Sequence, residues 1–229
     1  MKKVAAVLLM STILLGVSTS ALAAENTKSV GDSTAGIHLT TGEATPTTPV
    51  DPVDPTKPLT PDPENPATGN AGPLSLDYVS NITFGENEIS TSNLYYGVDL
   101  NPFVQVTDTR GTGAGWSLKA SISSFANENK DKNLAGAQLS LLNSNVKSSD
   151  GLATDKPVAS NVIFNETDEL QPVMTAAEST GKGTWLNVWS GTEGQTENKN
   201  VQLYVPASSI AADTKYSATI TWELTHAPE

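Results

Sequence analysis

From residue 74 onward, apolar and polar residues alternate with a period of two. "LSLDY" puts Leu74, Leu76 and Tyr78 on one face, and "NITF" does the same for Ile82 and Phe84. Similar runs recur downstream: "FVQV", "WSLKASI", "AQLSL", "NVIF", "WLNVW", "VQLYV" and "YSATITWEL". In an extended chain, side chains i and i+2 project from the same face. Each run therefore predicts a strand, and the longer alternating ones have one face for a core and one for solvent. Turn-forming stretches such as "DTRGTGAG", "ANENKDKN", "NSNVKSSDG", "ESTGKG" and "SGTEGQTENKN" separate them. No run has a helical apolar stripe, and "ASSIAADTK" allows at most a short turn or two. The pattern predicts an all-β fold, an antiparallel sandwich or barrel of short strands.

The upstream part lacks what a core requires. All 13 aromatic residues lie at or after Tyr78, and eight of the 14 prolines fall between Pro46 and Pro66. Residues 24–45 are small, polar and without periodicity, and are expected to be disordered. Proline occupies every third position from Pro46 to Pro61. Polyproline II has three residues per turn, so the spacing suits a stiff spacer of on the order of 65 Å, at about 3.1 Å per residue. A ligand for an SH3-type module is the other reading of that spacing. The resulting division is a leader over 1–23, a disordered lead with proline-rich spacer over 24–65, and a folded domain over 66–229.

The leader reading rests on "MKK", the apolar run "VAAVLLMSTILLGV" and small residues at Ala21 and Ala23. These are the three parts of a secretory signal, with cleavage expected before Ala24; a membrane anchor is the other reading, disfavoured by the small-residue site and the polar continuation. The chain has no cysteine, which excludes a lipidated cysteine, disulfides and thiolate metal sites. With no further hydrophobic segment and no sorting tail before Glu229, a secreted chain without membrane insertion or covalent anchor is expected. Loss of Lys2 and Lys3 leaves 11 basic against 25 acidic residues, a net charge of −14. Such a charge opposes nucleic acid, anionic membranes and simple adsorption to a phosphate-rich wall, so surface attachment would need specific contacts.

Two of the four tryptophans occupy the same arrangement, Trp-x-Leu, at Trp116–Leu118 and Trp222–Leu224. Strand geometry sets each pair side by side on an apolar face. Two roles fit: plain core, or a ligand surface on which an indole stacks against a sugar ring. Other chemistry is weakly marked. "RGTGAGW" has a G-x-G-x-G spacing and precedes a strand, so it reads as a glycine-rich hairpin or bulge and not as a phosphate loop. Arg110, the only arginine, is placed to pair with Asp108 and fix that turn; a ligand carboxylate is the other candidate partner. His38 and His226 suit neither a catalytic triad nor a zinc site. No pair of the 25 acidic residues stands out for glycoside hydrolysis, and "NENKDKN" lacks calcium-loop spacing. Neither catalysis nor a cofactor is expected.

The stretches "PATGNAGPLSLDYVSNITFG", "VQVTDTRGTGAGWSL", "GKGTW", "VQLYVP" and "YSATITWEL", in this order, resemble the WxL domain family of Gram-positive surface proteins. The resemblance covers about residues 66–228. The family's terminal motif has a leucine where this chain has Ile220, a change that preserves the face. The resemblance implies retention at the cell surface by non-covalent binding to peptidoglycan. It carries the family's signature onto Trp116, Leu118, Trp222 and Leu224, and implies a membrane-anchored partner protein as a possible companion.

Overall fold

The computed structural model describes residues 31–151, 154–165 and 169–226. The leader expected over 1–23 lies outside them. A first unit ends at His38, and its described residues, 31–38, contain no helix or strand. All of the described strands belong to the second unit, which begins at Leu39.

The antiparallel all-β expectation holds, and the described strands divide into three four-stranded sheets. The first sheet joins β1 (Leu74–Val79), β3 (Phe103–Asp108), β10 (Gly183–Val188) and β6 (Asn145–Ser148), in that order. The second joins β2 (Leu94–Gly97), β11 (Asn198–Tyr204), β5 (Gln138–Leu141) and β8 (Val162–Phe164). The third joins β12 (Ile220–His226), β4 (Trp116–Ile122), β9 (Gln171–Ala176) and β7 (Val158–Ala159). One core is shared by all three. Val104 and Val106 reach it from the first sheet, Leu139, Leu141 and Phe164 from the second, and Trp116, Leu118 and Met174 from the third. The only helical turn among the described residues is a 3-10 turn at Ala207–Ser209, within the stretch expected to form a turn.

Three departures from the sequence pattern have local causes. "NITF" is not a strand: Ile82 and Phe84 sit in a loop, half-buried against the core, so burial alone explains their alternation. "NVKS" and "QPVMTA" are strands that turn-rich composition and Pro172 disguised. Pro172 is tolerated because it lies at a register shift opposite Lys119 and beyond the short partner strand β7, where no ladder donor is needed.

The proline-rich stretch is not a free rod. Its chain turns back on itself: Asp51 N–H donates to Lys57 O at 2.9 Å and Leu59 N–H to Pro49 O at 2.9 Å. The aspartates between the prolines drive the turn, since Asp51 Oδ1 accepts from Val53 N–H (2.7 Å) and Asp54 N–H (2.9 Å). Val50 and Leu59 then pack on Tyr78, Phe103, Leu186 and Val188, covering the face of the first sheet that points away from the main core. Val50 N–H donates to Gln105 Oε1 at 2.8 Å, and Lys147 Nζ donates to Pro52 O at 2.6 Å. Proline spacing set the expectation of a spacer, but the residues between the prolines decide where the segment goes.

This strap explains why all six residues of β3 are buried. Under it lies a polar cluster centred on Asp77. The carboxylate accepts from Ser75 Oγ at 2.5 Å, Thr107 Oγ1 at 2.6 Å and Gln105 Nε2 at 2.9 Å. Burial, opposed by these donors, raises the Asp77 pKa above its ordinary value.

Candidate functional site

Trp116 opens β4 and is wholly buried, at 0% exposure. Its indole N–H donates to Gly181 O at 3.0 Å, which satisfies the one polar atom the ring carries inward. The two glycine blocks of the sequence meet here. Gly115 has φ +74° and lies against the Ala176 carbonyl, where a Cβ would clash; Gly181 has φ +72°, and a Cβ there would stand 2.7 Å from the Trp116 indole nitrogen. "RGTGAGW" and "STGKG" are thus the seat of a buried tryptophan, in keeping with the hairpin reading.

The Arg110–Asp108 pair expected from the sequence is present and bidentate. Arg110 Nε donates to Asp108 Oδ1 at 2.9 Å and Nη2 to Oδ2 at 2.8 Å. Nη2 also donates to Gly115 O at 2.7 Å, so the guanidinium closes the turn that leads into Trp116. Asp108 in turn raises the pKa of Arg110 above its ordinary value. Arg110 Nη1 lies 3.2 Å from His226 Nδ1 at the end of β12, a contact across 116 residues that the sequence did not mark.

Leu118, also at 0% exposure, lies between Leu224 on β12 and Met174 on β9. Trp222 and Leu224 differ from their counterparts. Both are half-buried on β12, which is an edge strand: among the described strands it pairs with β4 alone. Its alternation persists upstream of the strand, with Tyr216, Ala218, Ile220, Trp222 and Leu224 half-buried and Ser217, Thr219, Thr221 and Glu223 exposed. The Trp222 ring leans on buried Trp189, with centroids 6.4 Å apart and planes at 44°. The structure therefore brings the two motifs together but splits them by depth. Trp116 and Leu118 are inside; Trp222 and Leu224 reach the surface.

Beside Trp222 opens a cleft of about 1240 Å³. It runs between the 80–89 loop and the 210–220 segment, over a floor from the second sheet that includes Leu139 and Leu203. Phe84, Tyr95, Phe125, Tyr216 and Trp222 line it, five of the chain's 13 aromatics. Two tyrosine hydroxyls hold its rims: Ser90 N–H donates to Tyr95 OH at 3.4 Å, and Ala211 N–H to Tyr216 OH at 3.2 Å. Sequence reasoning missed this site because its aromatics come from four separate stretches. Only the terminal run, where Tyr216 and Trp222 share a face, carried a legible part of it.

The chain is an all-β domain in which the two Trp-x-Leu strands pair beside an open cleft lined by aromatic residues. The family model "WxL domain surface cell wall-binding" matches residues 26–228, and the chain belongs to this family. The match begins upstream of the proline-rich strap, in line with the strap being packed on the first sheet. No curated protein and no solved structure is similar enough to the chain to add to that assignment.

Proposed function

We propose that this chain is an exported, non-catalytic surface protein held on the cell wall by non-covalent binding to peptidoglycan. The observation that carries the reading is the division of the two motifs. The buried pair, Trp116 and Leu118, braces β4; β4 carries the edge strand on which Trp222 and Leu224 remain accessible. In this reading the four residues act as one unit, with direct contact assigned to Trp222 and Leu224 and positioning assigned to Trp116 and Leu118. The non-catalytic part follows the family, whose model describes a surface domain that binds the cell wall.

A second reading, an interaction subunit held mainly by a membrane-anchored partner protein, is favoured by the edge position of β12. Edge strands offer backbone donors and acceptors for strand addition by another chain. Co-sedimentation of the purified mature chain with insoluble, protein-free peptidoglycan separates the two. Sedimentation supports the first reading; sedimentation only after the partner is added supports the second.

A further inference from the structure

We propose that the aromatic cleft between the 80–89 loop and the 210–220 segment is where the wall polymer sits, and that it takes the glycan strand, an N-acetylated amino-sugar polymer. This inference rests on the cell-wall reading above and locates its site.

A pyranose with equatorial substituents presents C–H bonds on its faces and hydroxyl or acetamido groups at its edge. The faces are weakly apolar and electropositive, so they complement the electron-rich faces of aromatic rings. The cleft has the matching arrangement. Phe84, Tyr95, Phe125, Tyr216 and Trp222 supply rings, while Thr83, Ser217 and Thr219 add hydroxyl-bearing side chains to the same lining. Its volume of about 1240 Å³ exceeds the ~300–1,000 Å³ of pockets that hold drug-sized ligands, which leaves room for more than one sugar ring.

Charge narrows the ligand. The lining contains Glu86 and Asp213 against Lys215, within a chain of formal net charge −12. That balance disfavours a polyphosphate chain or a carboxylate-rich stem peptide and leaves a neutral glycan as the fitting occupant. The geometry also gives the terminal run two jobs. Tyr216, Ala218 and Ile220 form a wall of the cleft, the strand beyond pairs with β4, and Trp222 joins both, backed by Trp189.

The test is a ¹⁵N-edited NMR titration of the mature chain, residues 24–229, with the tetramer of β-1,4-linked N-acetylglucosamine and, separately, with a stem pentapeptide. The four tryptophans give four indole N–H signals. With the tetramer, the Trp222 signal should move along with backbone amides of 80–89 and 210–220. The Trp116 and Trp185 signals, whose N–H groups are held by Gly181 O and Lys182 O, should stay. Tyr95→Leu and Phe84→Leu keep apolar bulk and remove the ring face, so each should weaken tetramer binding roughly tenfold, with melting followed in parallel. If the chain pellets with insoluble peptidoglycan but the tetramer leaves Trp222 and both loops unmoved, the cleft proposal is overturned and the cell-wall reading stands. A response to the stem peptide alone overturns the glycan assignment. Failure to pellet at all overturns both.

Discussion

Leu118 and Leu224 stand opposite one another across the β4–β12 pairing, so the two Trp-x-Leu motifs lie side by side and antiparallel. In the same register Trp116 faces His226 and Trp222 faces Ala120. A large ring on one strand is thus met by a small or polar residue on the other. The repeated motif is a single structural feature: one copy anchors the pair in the core, and the other carries the apolar stripe to the edge.

The leucines should respond unequally to truncation. Leu118→Ala removes a wholly buried side chain between two strands and should cost about 2–5 kcal/mol. Leu224 is half-buried, so Leu224→Ala should cost less, about 1–2 kcal/mol. Denaturant melts of the two variants check the order. Equal losses would mean that the edge strand is as enclosed as β4.

The tryptophans should separate in the same direction and more sharply. Trp116→Phe leaves the Gly181 carbonyl without its donor and opens space beside it. A loss of about 1–3 kcal/mol is expected from the unpaired group alone. Trp222→Phe keeps the apolar face against Trp189 and should leave the melting temperature nearly unchanged while weakening attachment to peptidoglycan. Thermal melts alongside co-sedimentation give both readouts.

The strap should mark the true start of the folded unit. Limited proteolysis of the mature chain is expected to leave a fragment beginning before Pro46, because residues 49–59 are hydrogen-bonded and packed on the first sheet. Deleting 46–66 should expose Phe103, Leu186 and Val188 and cause aggregation or a lower melting temperature. A stable fragment beginning near residue 66–74 would instead restore the spacer reading.

Asp77 predicts a pH dependence with a definite sign. Its folded pKa is raised above the ordinary 3.8, so the folded state holds the proton more tightly than the unfolded state. Stability from this group is present at low pH and declines as pH rises from the ordinary value through the folded one. Asp77→Asn cannot titrate. Measured by urea unfolding from about pH 4 to pH 7, the stability of the natural chain relative to this variant should fall. A constant difference would show that Asp77 does not couple folding to protons.

Much of the fold was legible because strand periodicity is a strong local signal. "LSLDY", "FVQV", "WSLKASI" and the terminal run all became strands or the apolar approach to one. Less legible was anything that depended on what covers a strand's second face. Gln105 and Asp77 are buried beneath the strap, which nothing in their own strands announces, and only three-dimensional packing reveals the donors around Asp77. The division of the strands into three sheets was equally hidden, since alternation fixes faces and says nothing of partners. Of the candidate site, sequence showed the two motifs and their shared faces. The difference in depth between Trp116 and Trp222 comes from β4 lying between two strands while β12 has one neighbour among the described strands.

The central claim is that this chain itself holds the wall. Its most direct test is co-sedimentation of the purified mature protein with insoluble, protein-free peptidoglycan, then elution in denaturant. Binding without any added protein, release by denaturant alone and reduced binding of folded Trp222→Phe are the predicted results. A chain that stays in the supernatant until a partner protein is supplied would contradict the claim and transfer the wall contact to that partner.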